Sequence, residues 1–198
     1  KGEVRLNGNP VYLPSLKLNF DKMHGVVSFA NEKVNFNGLT GELLGQKISA
    51  NFAGHSDSSG AYKADIELQG DWQLQPLLSQ HQPSLNEYVK GNSAWQANTQ
   101  LTLNKDSYAY EFELISNLQG LESVLPAPFN KNSEDETVFF VTGKGEDQAS
   151  NFSFLLGESI SFEGVLPHDT MQFSRAHLSI GESESLAMGL GWRLRPWA

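Results

Sequence analysis

The sequence predicts an all-β chain of antiparallel strands, and three observations carry that prediction. Apolar residues recur at every second position, the period of a half-buried strand, in one stretch after another. These stretches arrive about every dozen residues with polar or glycine-bearing turns between them, which suits hairpins and not βαβ units. Segments that could be helical are few and short.

In chain order, Leu16, Leu18 and Phe20 keep the strand period, as do Val27 with Phe29, Val34 with Phe36, and Ile48, Ala50 and Phe52. Asp21-Lys22-Met23-His24-Gly25 and Asn31-Glu32 read as connecting turns. Tyr62, Ala64, Ile66 and Leu68 form a further strand that closes at Gly70, where Asp71 is placed to cap a short helix from about Trp72 to Ser79. Pro76 fits only a first turn, so the helix either starts nearer Gln75 or gives way to a compact turn. Ser84-Leu85-Asn86-Glu87 has the form of a capping box and predicts a second short helix ending at Gly91. The stretch 73–90 is the candidate internal boundary; the favoured reading is one continuous sheet system with these helices as caps.

The most secure hairpin follows. Trp95, Ala97, Thr99, Leu101 and Leu103 keep one phase, Asn104-Lys105-Asp106-Ser107 turns, and Tyr108, Tyr110, Phe112 and Leu114 run back. Leu118 to Asn130 carries two prolines and no clean period, and reads as a short helix leading into an extended Leu125-Pro126-Ala127-Pro128. Strands resume at Val138 to Val141, at Phe152, Phe154 and Leu156, and at Ile160 and Phe162. The last strand has two competing phases, Met171 with Phe173 or Ala176, Leu178 and Ile180.

Composition narrows the function. With 14 basic and 23 acidic side chains the formal charge is -9, which disfavours a nucleic-acid backbone or an anionic membrane surface as a partner. The 198 residues contain no cysteine, so disulfides, thiolate metal sites and thiol nucleophiles are excluded together. No apolar run approaches the roughly 20 residues of a spanning helix. The start at Lys1 leads us to expect a fragment of a larger protein, with any address or anchor outside it.

Motifs for covalent chemistry are missing. His24, His55, His81, His168 and His177 lack the close spacing that aims two rings at one metal. Glu134-Asp135-Glu136 with Glu146 and Asp147 lacks the pattern of a calcium loop and reads as solvated. Gly143-Lys144-Gly145 lacks the spacing of a phosphate-binding loop, and no Gly-x-Ser-x-Gly elbow occurs. Asn151-Phe152-Ser153 matches a glycosylation acceptor only as such triplets do by chance, and Glu111 with Glu113 is an ordinary surface pair. Neither a catalytic residue nor a cofactor is expected.

What stands out is the aromatic material at alternate positions: Phe20, Phe29, Phe36, Phe52, Phe112, Phe140, Phe152, Phe154 and Phe162. A face of this kind must be hidden from water, each large side chain gaining roughly 1.5 to 3 kcal/mol on burial. Two coverings satisfy that requirement: a second sheet, as in a sandwich, or an acyl chain held in a curved sheet. Periodicity does not choose between them.

A further pattern bears on the choice. Gly91-Asn92-Ser93-Ala94-Trp95, then Ser116-Asn117-Leu118-Gln119-Gly120-Leu121, then Leu125-Pro126-Ala127-Pro128-Phe129-Asn130-Lys131 resembles the YhdP branch of the AsmA-like envelope proteins. Asn117 stands where that family usually has aspartate, and Phe129 where it has leucine. Gly38-Leu39-Thr40-Gly41-Glu42-Leu43-Leu44-Gly45, Asp71-Trp72 and Pro76-Leu77-Leu78 extend the likeness, which covers Leu13 to Lys131 best.

The resemblance implies an elongated, curved antiparallel sheet forming an open groove or half-barrel with one or two short capping helices. It also implies a periplasmic segment of a protein anchored in the inner membrane of a Gram-negative bacterium, conducting phospholipids toward the outer membrane. The partners it implies are phospholipid acyl chains and neighbouring segments of the same parent chain, with membrane contact made elsewhere in the parent. On this reading the lipid-facing candidates are Trp95, Leu101, Tyr110, Phe112, Leu114, Phe152, Phe154 and Phe162. The competing reading is a structural or protein-interaction β module of the envelope with a closed core.

Overall fold

The computed structural model describes residues 1–13 and 18–181; Leu16 of the first expected strand lies outside them. Five strands come first: β1 (Gly2–Leu13), β2 (Leu18–Ala30), β3 (Lys33–Leu43), β4 (Gln46–Ser56) and β5 (Tyr62–Gln73). Helix α1 (Leu74–His81) and a 3-10 turn (Pro83–Leu85) interrupt them. Then come β6 (Val89–Leu103), β7 (Tyr108–Ser116), β8 (Leu121–Ser123), β9 (Phe139–Glu146), β10 (Ala149–Leu156), β11 (Ile160–Pro167) and β12 (Arg175–Ile180).

Each strand pairs antiparallel with the next in sequence, except that β8 leaves the path to pair with the start of β6 and β7 pairs directly with β9. The order runs from β1 to β12 without returning, so the sheet stays open and is not closed into a barrel. The sheet is also unbroken across α1, because β5 and β6 pair along their length from Tyr62 opposite Leu103 to Gln73 opposite Asn92.

Register decides what each face carries, since directly paired residues share a face and their neighbours take the other. Following the pairs from Phe52 to Ile66, Thr99 and Phe112, then to Gly143, Phe152 and Gly164, one face collects most of the large apolar residues of the strands crossed. The opposite face carries Asn51, Glu67, Asn98, Glu113, Thr142, Ser153 and Glu163 in register. Among the described residues no second sheet lies over the apolar face.

Curvature does what a second layer would do. Leu39 is 2% exposed, Met23 4% and Ile48 4%, in a cluster with Phe20, Leu43 and Ala50 on the apolar side of β2, β3 and β4. Leu6 and Val11 of β1, Leu68 and Trp72 of β5 and Trp95 of β6 pack onto the same cluster. Residues from six consecutive strands of one layer meet only if the sheet twists and coils toward that side, and bulges supply the extra bend. Register breaks in β1 against β2, β2 against β3, and β3 against β4 mark them.

Several expected boundaries move. Residues 1–13 carried no expectation of structure, yet Gly2–Leu13 is the edge strand β1. Asp21 to Gly25, expected as a turn, lies inside β2, because a bulge with Lys22 at φ 51° and Gly25 at φ 137° absorbs the irregular residues and buries Met23. The Asn31-Glu32 turn forms between β2 and β3, with Asn31 at φ 55°.

Strand β5 continues through Gly70 to Gln73. Asp71 therefore caps nothing and instead accepts a hydrogen bond from Asn92 Nδ2 at 2.7 Å, and the helix begins at Leu74 with Pro76 in its first turn. The helix expected from Ser84 to Gly91 shrinks to the turn at Pro83–Leu85, because Val89 and Lys90 pair with Ser123 and Glu122. No helix forms between Leu118 and Asn130. Strand β8 takes its place, and Leu125 to Pro128 turns instead of extending, with Phe129 N–H donating to Pro126 O at 3.0 Å. In β12 the phase of Ala176, Leu178 and Ile180 faces the apolar side, opposite Gly164, Phe162 and Ile160. Phe140 sits on the polar side instead, paired with Ile115 and Leu155; Val138-Phe139-Phe140-Val141 does not alternate, so its phase was ambiguous in sequence.

Candidate functional site

All eight sequence-picked residues lie on the apolar face. Leu101 pairs with Tyr110 and Thr99 with Phe112; Leu114 pairs with Val141, Val141 with Phe154, and Phe154 with Phe162. Trp95 pairs with Gly70 at the far end of β6, so it stands apart from the phenylalanine group and joins the β2 to β4 cluster. Each of the eight is half-buried and none is buried. In a core sealed between two sheets such rings would be fully covered.

The rings touch one another in a ladder across the strands. Phe154 stacks on Phe162 at 5.4 Å between centroids, and Phe162 meets Phe173 edge-on at 5.3 Å. Phe112 lies 6.2 Å from Phe152 and 6.4 Å from Tyr110, which lies 6.4 Å from Tyr108. Separately, Phe36 stacks on Phe52 at 5.2 Å, and Trp72 meets Trp95 edge-on at 4.7 Å. Offset and edge-on pairs of this kind add about 0.5–1.5 kcal/mol each to the burial of area.

Glycines make room for the rings. A Cβ on Gly143 would lie 2.7 Å from Phe112 Cδ1, and one on Gly145 would lie 2.5 Å from both Tyr110 Cε1 and Ser150 Oγ. A Cβ on Gly164 would lie 2.8 Å from the rings of Phe162 and Phe173. The Gly143-Lys144-Gly145 run is thus strand backbone beneath aromatic rings, and Lys144 points to the other face and pairs with Glu111. That contact raises the lysine's affinity for its proton.

The apolar face changes character along the strands. Near Tyr62, Leu103, Tyr108 and Leu166 it carries hydroxyl and imidazole groups, Tyr108 among them exposed; near Trp72, Phe139, Leu156 and Ile160 the hydroxyls it carries, those of Ser93 and Ser116, are buried. Tyr110 Oη is 2.6 Å from Ser150 Oγ, which is 2.7 Å from His168 Nε2. His168 Nδ1 is 3.0 Å from Asp147 O and 3.2 Å from Tyr108 Oη. Burial raises the Tyr62 hydroxyl above its ordinary pKa, so it stays protonated. Sequence reasoning missed Tyr108, Ser150 and His168; the signal was present in the phase Tyr108, Tyr110, Phe112, where hydroxyls give way to hydrocarbon along one strand.

At the opposite end, Ser93 and Ser116 are buried with 2.9 Å between their hydroxyl oxygens; Ser116 Oγ donates to Ala94 O and accepts from Leu118 N–H. Lys131 Nζ donates to Leu121 O at 3.0 Å and Asn132 O at 2.9 Å; burial lowers its pKa, while Asp135 acts to raise it. These contacts hold the loop after β8 against the sheet and leave no hydroxyl of Ser93 or Ser116 for a ligand. Among the described residues no group of three His, Asp or Glu side chains is arranged to hold a metal, and no helix is long and apolar enough to cross a membrane.

The chain is 27% identical over 180 residues to the intermembrane phospholipid transporter YhdP of Escherichia coli (strain K12), covering 84% of this chain and 14% of that protein. It therefore spans about one seventh of its relative's length. No solved structure matches it. With the family model described as YhdP protein matching residues 1–195, an open sheet with one apolar face joins sequence likeness, and the chain belongs to the YhdP family.

Proposed function

We propose that residues 1–198 form one segment of a periplasmic groove that conducts phospholipids between inner and outer membranes, with acyl chains held on the uncovered apolar face. The observation that carries this reading is the register: one open sheet puts most of its large apolar residues on one side from β1 to β12, and the rings of Phe112, Phe152, Phe154 and Phe162 there are only half-buried. The relative's role as an intermembrane phospholipid transporter supports it. Acyl chains need apolar contact and no covalent chemistry, so the mechanism is transfer along a hydrocarbon surface whose lining replaces the bilayer interior.

The parent protein is anchored in the inner membrane of a Gram-negative bacterium, and neighbouring segments of the same chain continue the groove beyond this one. The formal charge of -9 is compatible with this role, because binding through acyl chains does not rely on attraction to anionic head groups.

The test places a carboxylate in the path. Replacing Phe112 and Phe154 together by glutamate should abolish crosslinking of phospholipid to photo-reactive residues at neighbouring positions, while the circular dichroism of the sheet is kept. Crosslinking at the original level in a folded variant would sink the lipid-facing assignment.

A further inference from the structure

We infer that the margin of the apolar face formed by Tyr108, Tyr110, Ser150 and His168 receives the phosphoryl oxygens of the lipid head group, so that each phospholipid lies along the strands with its head at this end. The inference rests on the lipid-groove reading and adds direction to it.

The hydrogen-bond directions follow from the acceptors present. Asp147 O can only accept, so His168 Nδ1 carries the proton that meets it at 3.0 Å. In the neutral ring Nε2 is then an acceptor, and Ser150 donates to it at 2.7 Å. Ser150 Oγ, its proton committed, accepts from Tyr110 at 2.6 Å. This chain is internally complete, and Ser150, 1% exposed, is sealed beneath it.

Tyr108 differs. Its hydroxyl stands 3.2 Å from His168 Nδ1, which is already a donor, so the oxygen accepts and the hydroxyl proton is left over. Tyr108 is 37% exposed, and its ring is held by Tyr110 on one side and His168, 6.3 Å away and 8° from parallel, on the other. An oriented, exposed O–H donor at the end of a hydrocarbon ladder suits an oxygen acceptor whose remainder is apolar, which describes a phospholipid. At the opposite margin the described residues offer no exposed hydroxyl donor: those of Ser93 and Ser116 are engaged with each other and with backbone groups, and the unpaired indole N–H of Trp95 is buried.

The experiment uses the full-length protein containing this chain and two phosphatidylethanolamine probes, one with a diazirine on the head group and one with a diazirine at the acyl terminus. Labelled peptides are identified by mass spectrometry. The head-group probe is expected on the peptides carrying Tyr108 and His168, and the acyl probe on those carrying Phe154, Phe162 and Phe139. Tyr108→Phe keeps the ring and should lower head-group labelling there roughly five-fold, as one lost hydrogen bond does, leaving acyl labelling unchanged.

Head-group label at the Leu156 and Ile160 end, or spread evenly along the strands, would overturn the inference and leave the groove standing. Absence of both labels from this chain would overturn the groove itself. Loss of head-group label to millimolar inorganic phosphate would show a site for free phosphate, and would also overturn the inference.

Discussion

Phe154→Ala offers the sharpest test of whether the aromatic face is open. Phe154 is half-buried and stacks on Phe162 at 5.4 Å. Full burial of such a side chain is worth roughly 1.5–3 kcal/mol, of which a half-buried ring realises about 1–1.5 kcal/mol, and the stacked partner adds about 0.5–1 kcal/mol. Truncation should therefore cost about 2 kcal/mol. Leu39→Ala removes a smaller side chain from the same face, but one that is 2% exposed within the curled half of the sheet, where the cost is about 3–4 kcal/mol because a cavity remains. The order of the two losses is thus the inverse of that expected from side-chain size. Urea unfolding of the chain and both variants measures the two losses with a common slope. A loss at Phe154 larger than that at Leu39, in the range of about 3–5 kcal/mol typical of a sealed phenylalanine, would refute the reasoning.

Other consequences follow from particular contacts. Gly143→Val puts a side chain against the Phe112 ring, with Cδ1 at 2.7 Å from the new Cβ, and should destabilise by about 1–3 kcal/mol. Adding Phe112→Ala should recover part of that loss, and strict additivity of the two changes in urea unfolding would show that the ring is not what Gly143 accommodates. Asp57 accepts from Ser59 Oγ at 2.5 Å, Ser59 N–H at 2.8 Å and Ala61 N–H at 3.2 Å and pairs with Lys63 at 3.1 Å, which holds its carboxyl well below the usual carboxylate range. A depressed folded pKa contributes stability that is complete above the ordinary carboxylate pKa and is lost as pH falls through the folded value. Amide exchange at Ser59 and Ala61 should therefore stay slow through mildly acidic pH and quicken in Asp57→Asn at neutral pH. Equal exchange in the two proteins would contradict this.

Strand identity was legible wherever alternation was clean. Trp95 to Leu103 and Tyr108 to Leu114 appear as the β6 and β7 hairpin, closed by Asn104 N–H donating to Ser107 O at 2.8 Å. Errors gathered where the backbone absorbs an irregularity. Asp21 to Gly25 carries turn residues, yet the pairing resumes beyond the bulge, and only the buried Met23 reveals that the strand is continuous. Val89 to Gly91 was read as the end of a helix because its partner, Leu121 to Ser123, lies far away in sequence and no local period reports it. Gly91, at φ 101°, approaches the backbone of Gly120 too closely for any side chain, a pairing of two glycines that a single sequence does not announce.

The candidate face was legible for the same reason as the strands, since a period of two assigns each residue to a side once the register is known. Trp95 and Phe154 share a side of the sheet, but Trp95 is on β6 and Phe154 on β10 with β7 and β9 between them, an arrangement that only the register reveals, so their membership of different clusters was not readable. The polar margin escaped notice because Ser150 and His168 are distant in sequence and neither belongs to a motif. Hydroxyls and an imidazole become a site only when β10 and the turn after β11 bring them together.

Among the described residues, no second sheet roofs the oily side of this one. Oxidative footprinting of the delipidated protein, repeated with phospholipid vesicles, measures it directly at Phe112, Phe152, Phe154 and Phe162. The account predicts that these rings are modified in the bare protein and protected once lipid is supplied. Rings that resist modification before any lipid is added, with labelling unchanged afterwards, would contradict it.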